Sequence, residues 1–390
     1  MMDETLLQFC TTERQKEIIQ AVINADGSCI NASKDLDVDR RWVFNTVAKV
    51  KKRAEKQGWS PENDMYKTVP NSYKAKGVST LYDQDGNVKV QWVKSQLTEE
   101  DKLEALKNAL EDIVELSAGL APKPQPKKRR ISKDELACYL IGDAHLGMYA
   151  WHEETGQDFD CEIASRDLKY AFDRLVENAP DSDTCLIVNL GDFFHFDNHE
   201  RKTTRGGNVL DGDTRLERVF RIGVSIMNYF VLRALEKHNK VICRNVRGNH
   251  DDILSMALKY QMQAYWKKEK RVEIEMSPAP CWTYEFGKVA LLITHGHAPK
   301  PNKLPEVFSG VYPELWGKTK HRYALHGHFH SKMSFSTPGC IVEGFTNLAP
   351  NDYWHVSEGY HSPQEMTMCV YHRDKGEIRR SIERPAIKDY

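Results

Sequence analysis

The sequence predicts a layered α/β domain behind a small helical region, on three observations. Past residue 136, five short apolar runs each end in a cluster of Gly, Asp, Asn or His: "LACYLIGD", "TCLIVNLGD", "KVICRNVRGNHD", "KVALLITHGH" and "RYALHGHFH". Helical patterns lie between them, at 165–178, 214–238 and 252–268, and strands alternating with helices build layered α/β domains. Residues 13–57 carry three amphipathic helical patterns instead.

The front end reads in order as follows. A first helix over 13–25 places Ile18, Ile19, Val22 and Ile23 on one side, and "DGSC" breaks it. Asn31 is the expected cap of a short helix running to Leu36, with Val38 in the turn after it. Asp39 then caps a long helix with Val43, Val47, Val50 and Ala54 at three-to-four spacing. A short helix, a tight turn and a longer basic helix outline a helix-turn-helix over residues 1–60. A plain three-helix bundle fits the same pattern. The basic residues of 40–56 favour the first reading, because they concentrate on the third helix against one acid, Glu55. Arg40, Arg41, Lys49, Lys52 and Arg53 are the candidate nucleic-acid contacts there.

Residues 61–117 form a connector. Asp85-Gly86 turns a hairpin over 77–97, with Tyr82, Val88, Val90 and Trp92 as expected packed positions. "TEED" opens a helix over 98–116. A basic, Pro-rich linker follows over 118–135: "APKPQPKKRRISK" holds six basic residues and no acid. It reads equally as a solvated tether and as a strap whose Lys127, Lys128, Arg129 and Arg130 touch phosphates. The catalytic domain is expected over 136–390, closing with hairpins after residue 331, one of them turning at Asp374-Lys375-Gly376.

Composition narrows the class. Hydrophobic residues make up 40% of the 390 residues and charged residues 28%, an ordinary soluble balance. No apolar stretch is long enough to span a membrane, and "MMDETLLQFC" is no secretory signal. Nine scattered cysteines without a C-x-x-C pair suit free thiols in a reducing cytoplasm. All fifteen histidines follow residue 144, twelve of them between 145 and 330. That skew points to metal chemistry in the C-terminal part.

Each of the five runs delivers candidate ligands: Asp143 and His145, Asp192, Asn249 and His250, His295 and His297, His328 and His330. Binding sites in α/β sheets form beyond the carboxyl ends of strands. If these strands share a sheet, the clusters converge on one edge. In extended chain, residues i and i+2 point the same way, so Asp143/His145 and His328/His330 can each aim two side chains at one centre. The mixed nitrogen and oxygen donors suit Mn²⁺, Fe or Zn²⁺. About eight donors exceed what one ion needs, so two divalent ions are expected.

The ordered blocks D-x-H (143–145), G-D (191–192), G-N-H-D (248–251), H-G-H (295–297) and G-H-x-H (327–330) resemble the calcineurin-like metallophosphoesterases. The resemblance spans residues 136–384 and leaves out the first 135. It implies that family's fold, a β-sandwich flanked by helices. It implies that Asp143, His145 and His330 hold one metal, that Asn249, His295 and His328 hold the second, and that Asp192 bridges them. It gives His250 the leaving oxygen, with Asp251 orienting it. Mn²⁺ is the foremost expected ion, with Fe, Zn²⁺ or Mg²⁺ as others, and a hydroxide between the two ions is the implied nucleophile. One block departs from the usual G-D-x-x-D: it reads "GDFFH", which assigns His195 to substrate or to support of the site. His297, and Arg201 and Arg205 on the basic loop after this block, are further candidate substrate contacts.

Together these readings describe a metal-dependent phosphodiesterase that cleaves DNA. Its nuclease character resembles SbcD-type repair nucleases, and its front end resembles phage-encoded proteins of the host cytoplasm. DNA is the expected partner and no membrane is involved. Two other readings stay open: a phosphomonoesterase or protein phosphatase of the same superfamily, and a DNA-binding regulator with a vestigial metal site.

Overall fold

In the computed structural model, residues 4–66, 68–69, 73–97, 118–122, 124, 131–203 and 206–386 are described. The expected helix over 98–116, Lys127, Lys128, Arg129, Arg130 and Arg205 lie outside them. The chain divides into two units, Met1–Ala109 and Leu110–Tyr390.

The first unit opens with a 3-10 turn, Glu4–Phe9, followed by α1 (Glu13–Asn24), α2 (Cys29–Asp35) and α3 (Arg40–Lys56). Ile18, Ile19 and Val22 of α1 meet Val43, Val47, Val50 and Ala54 of α3 in one buried core with Leu6, Phe9 and Trp59. The spacing that predicted the helices is therefore the spacing of the core. Asp39 caps α3, its carboxylate accepting from the Arg41 and Trp42 amides at 2.8 and 3.1 Å. The cap of α2 is Ser28 and not Asn31. The Ser28 hydroxyl accepts from the Asn31 amide at 3.3 Å, so the helix starts one turn earlier than expected.

Two short strands, β1 (Trp59–Ser60) and β2 (Met65–Tyr66), precede a hairpin of β3 (Tyr73–Tyr82) and β4 (Val88–Leu97). Asp83 organises its turn by accepting from the Asp85 and Asn87 amides at 3.0 and 2.8 Å. The expected packing of this hairpin is overturned: Tyr82, Val88, Val90 and Trp92 are all exposed, Trp92 by 59%. The hairpin pairs only with itself, so among the described residues no second layer covers these side chains.

The second unit runs β5 (Ser132–Ile141), α4 (His152–Thr155), α5 (Cys161–Asn178), β6 (Ser182–Asn189), α6 (Leu216–Leu235), β7 (Lys240–Asn245), α7 (Asp252–Tyr265), β8 (Val272–Ile274), β9 (Trp282–Phe286), β10 (Val289–Ile293), α8 (Leu304–Val311), α9 (Pro313–Lys318), β11 (His321–His326), β12 (Met333–Thr337), β13 (Cys340–Gly344), α10 (Tyr353–Ser357), β14 (Met366–His372) and β15 (Gly376–Glu383). Two sheets result, ordered β15-β14-β5-β6-β7-β8 and β12-β13-β11-β10-β9. The five motif-bearing strands do not share one sheet. β5, β6 and β7 run parallel in the first, and β10 and β11 run parallel in the second.

Alternation along β5 shows how the layers form. Leu136, Cys138 and Leu140 face the second sheet's Val289, Leu291, Ile293 and Leu325. Ala137, Tyr139 and Ile141 face the helices, beside Phe172 of α5, Phe230 of α6 and Leu258 of α7. The second sheet turns Ala290, Leu292, Ala324 and Val342 towards Leu304 and Phe308 of α8. Sheets covered on both faces need apolar residues at every position, which is why the runs read as continuous. The result is the expected β-sandwich with helices outside. All nine cysteines are free, seven of them buried. Among the described residues no helix is long and apolar enough to cross a membrane.

Asp39→Ala should destabilise the first unit by about 1 kcal/mol, read as faster hydrogen exchange at the Arg41 and Trp42 amides. Unchanged protection there would show that the cap contributes nothing.

Candidate metal centre

The ligand candidates sit just past the ends of their strands, and the backbone turns sharply to present them. His145, Asp192, His328 and His330 have φ of 45°, 48°, 73° and 50°. Left-handed conformations are costly for such residues and cluster at functional sites. This corrects the expectation from extended chain: the paired ligands share a direction because their backbone leaves the strand geometry. Close approach demands glycine as well. A Cβ on Gly248 would lie 1.9 Å from Asp192 Oδ1, and one on Gly327 would lie 2.3 Å from Asp143 Oδ2.

Among the described residues three groups of donors lie close enough to share an ion: Asp143/His145/His330, Asp192/His295/His328, and His145/His195/His250, which shares His145 with the first. In the first, His145 Nε2 lies 2.9 Å from His330 Nε2, and His330 Nε2 lies 3.7 Å from Asp143 Oδ1. In the second, His295 Nε2 lies 3.1 Å from both Asp192 Oδ2 and Asn249 Oδ1. Asp143 Oδ1 also lies 3.8 Å from His295 Nδ1, on the side of that ring turned away from Nε2. Backbone amides hold the carboxylates in place. The His328 amide donates to Asp143 at 2.9 Å and the His250 amide donates to Asp192 at 2.8 Å. His295 Nδ1 lies 2.9 Å from the Leu190 carbonyl oxygen, which reserves Nε2 for the centre.

Asp143 and Asp192 are 0% and 1% exposed. Among the described ion pairs, histidines alone face them. Burial pushes the Asp143 carboxyl up to about 8, with Asp192 adding to the rise and His295 opposing it. For Asp192 burial acts in the same direction, but His295, His250 and His145 outweigh it and hold the carboxyl well below its usual range. Burial alone would lower His295, yet Asp192 and Asp143 raise it to about 10. Burial pulls His330 down to about 3, His328 down to about 4, and His145 well below its usual value. Neutral imidazoles on His145, His328 and His330, beside carboxylates whose described ion-pair partners are histidines alone, are the donor chemistry that divalent ions take. The residues therefore fit a pair of such ions.

The neighbouring candidates divide. His195 is 2% exposed, and its Nδ1 lies 3.0 Å from His145 Nδ1. It backs a ligand, and its Nε2 has no partner. His250 Nδ1 lies 2.9 Å from the His195 carbonyl oxygen, and the two rings stack at 5.6 Å. Asp251 does not orient His250. Its carboxylate accepts from the Gly248 and Phe194 amides at 3.0 and 3.1 Å, so it clamps the turn that carries Asn249 and His250. His297 lies beside the second group, its ring 5.2 Å from that of His295. Arg201 is not free for substrate phosphate. Its guanidinium donates to the Gly212 and Thr214 carbonyls at 2.6 and 3.2 Å and so closes its own loop.

Sequence reasoning missed His355, which reads as an ordinary solvated histidine. Its ring stacks on His330 at 5.1 Å, and its Nδ1 lies 2.6 Å from Asp352 Oδ1. No spacing rule links "NDYWH" to "GHFH", because a loop and two strands separate them.

Gly248→Ala should lower divalent-ion affinity about 10- to 100-fold, as loss of a ligand's support does, measured by calorimetric Mn²⁺ titration. Affinity equal to that of the unsubstituted chain would show that the approach of Gly248 to Asp192 is unimportant.

No family model and no curated protein matches the chain. Solved structures of similar chain trace include a dimetal phosphatase from Danio rerio, 9% identical with a TM-score of 0.35, covering 64% of this chain and 99% of that one. An archaeal phosphodiesterase is 13% identical with a TM-score of 0.32, over 63% and 99%. Vacuolar protein sorting 29 from Cryptosporidium parvum is 11% identical with a TM-score of 0.29, over 64% and 97%. At such scores the functional reading rests on this chain's own residues.

Proposed function

We propose that the chain is a metallophosphoesterase that hydrolyses DNA phosphodiester bonds with two divalent ions, Mn²⁺ foremost. The observation that carries the reading is the placement of His250 beside two buried donor groups. When bound, the ions would supply Lewis-acid charge to the phosphoryl oxygens and make water nucleophilic near neutral pH. Asp143, His145 and His330 would hold one ion. Asn249, His295 and His328 would hold the other, and Asp192 would lie between them. The His195 carbonyl takes the Nδ1 proton of His250, which leaves Nε2 to meet the substrate. When His250 is protonated, that Nε2–H donates to the departing alkoxide. His195 stacks behind His250 and holds His145 from the side away from His330.

Support for DNA comes from the first unit. α2, the turn Leu36–Asp39 and α3 have the lengths of a helix-turn-helix. Arg40, Arg41, Lys49 and Lys52 of α3 are exposed, opposite the buried Val43, Val47 and Val50. Arg53 drops out of the candidate contacts. Its guanidinium donates to the Phe9 carbonyl at 2.6 Å and ties the opening turn to α3.

Three results test the reading. With Mn²⁺, bis-(p-nitrophenyl) phosphate should be hydrolysed faster than p-nitrophenyl phosphate, and linear DNA should be cut. His250→Ala should lower kcat about 10²- to 10⁴-fold with metal content unchanged. Fast monoester turnover with intact DNA would assign a phosphatase instead. Lys49→Glu with Lys52→Glu should weaken DNA binding and reduce the salt slope by about 0.9 per lost phosphate contact, followed by fluorescence anisotropy. An unchanged slope would remove α3 from the interface.

A further inference from the structure

Beside Asn249 and His297 lies a pocket with about 370 Å³ of space, lined also by Arg244, Arg247 and Lys259. Arg244 and Lys259 are only 2% and 7% exposed. Arg244 donates through Nη1 and Nη2 to the Ser277 and Ala279 carbonyls at 2.7 and 2.6 Å. Its Nε, also buried, has no partner. Lys259 Nζ donates to the Met276 and Ser277 carbonyls at 3.1 and 3.4 Å.

Among the described residues, no carboxylate forms an ion pair with either cation. Asp252 lines the pocket but pairs with Arg247 at 3.0 Å. Glu275 accepts from the Ser277 amide at 2.7 Å. Three cations therefore line the pocket with one acid, and two of them are buried with their hydrogen bonds going to carbonyl groups and with Glu275 as a nearby carboxylate that forms no ion pair with them. Burial lowers the pKa of both Arg244 and Lys259; Glu275 opposes this at both, Arg247 adds to the lowering at both, and Arg244 adds to it at Lys259. Buried charge without a counter-charge is costly. Guanidinium and ammonium groups converging on one space suit an oxyanion with several acceptors.

We propose that this pocket is a phosphate subsite that holds a second phosphate of the substrate beside the one being hydrolysed. The proposal rests on the phosphodiesterase reading. Asn249 belongs to both the pocket and the metal-ligand set, so a phosphate bound in the pocket lies next to the reacting centre. Free inorganic phosphate offers the same chemistry, and the test separates the two sources.

The full chain, stripped of divalent ions with EDTA, is titrated with inorganic phosphate by calorimetry. One saturable site is expected. Arg247→Gln and Lys259→Met should each weaken it about tenfold or more, as loss of a charge-assisted hydrogen bond does, and His328→Ala should retain it. Arg247 is partly exposed, so its variant decides the matter even if Lys259→Met fails to fold. Absence of binding, equal binding by Arg247→Gln, or loss in His328→Ala overturns the proposal.

With Mn²⁺ restored, pTpT is compared with TpT. A lower KM for pTpT, with the gap closing in Arg247→Gln, supports a substrate phosphate. Equal KM values, with inorganic phosphate altering bis-(p-nitrophenyl) phosphate turnover, assign the pocket to free phosphate and overturn it. Phosphate binding without any diester hydrolysis sinks the functional reading and the assignment to substrate together. Diester hydrolysis without phosphate binding sinks the subsite alone.

Discussion

Two carboxylates buried among histidines set the terms for the C-terminal unit. Asp143 and Asp192 have no lysine or arginine among their described ion-pair partners, and a buried carboxylate without compensation costs several kcal/mol. The chain answers with imidazoles. His295 is held cationic by the carboxylates, while burial keeps His145, His328 and His330 neutral. Cations brought into this centre would meet ready lone pairs on His145, His328 and His330, and would displace protons from His295 and Asp143.

Holding that set requires a rigid frame. The ligands hang from five strands in two sheets, each buried on both faces. Backbone strain at four ligand positions persists because the packed layers leave those turns no alternative. Asp251 shows the same logic from beneath. Buried and accepting from two amides, it fixes the loop that carries Asn249 and His250. The neighbouring strand end, at Arg244 and Arg247, adds positive charge next to the same loop. The candidate ligand Asn249 and the basic Arg244 and Arg247 thus lie within a few residues of each other at the end of β7.

The N-terminal unit separates its apolar and charged faces along α3. Val43, Val47, Val50 and Ala54 close its core, which leaves Arg40, Arg41, Lys49, Lys52 and Lys56 exposed. Arg53 falls on the packed side and ties the core together instead. The hairpin behaves differently: its alternating apolar residues are exposed, and among the described residues its two strands pair with each other alone.

Much of this was legible in the sequence. Period-2 and period-3.6 patterns gave the strands and helices, since burial on one face must repeat with the geometry of the element. The Asp, Asn and His clusters after the apolar runs marked nine candidates, because groups beyond strand ends leave a local trace, and the resemblance of the ordered blocks to a known family narrowed them to seven. Tertiary structure decided what has no local trace. That five strands divide between two sheets, that His355 stacks on His330, that Arg201 and Arg53 spend their guanidinium groups on distant carbonyls, and that Arg244 and Lys259 line one pocket are all contacts between residues far apart in sequence. Side-chain spacing encodes which face an element buries. It does not encode which element arrives to cover that face, and every such residue takes its role from that arrival.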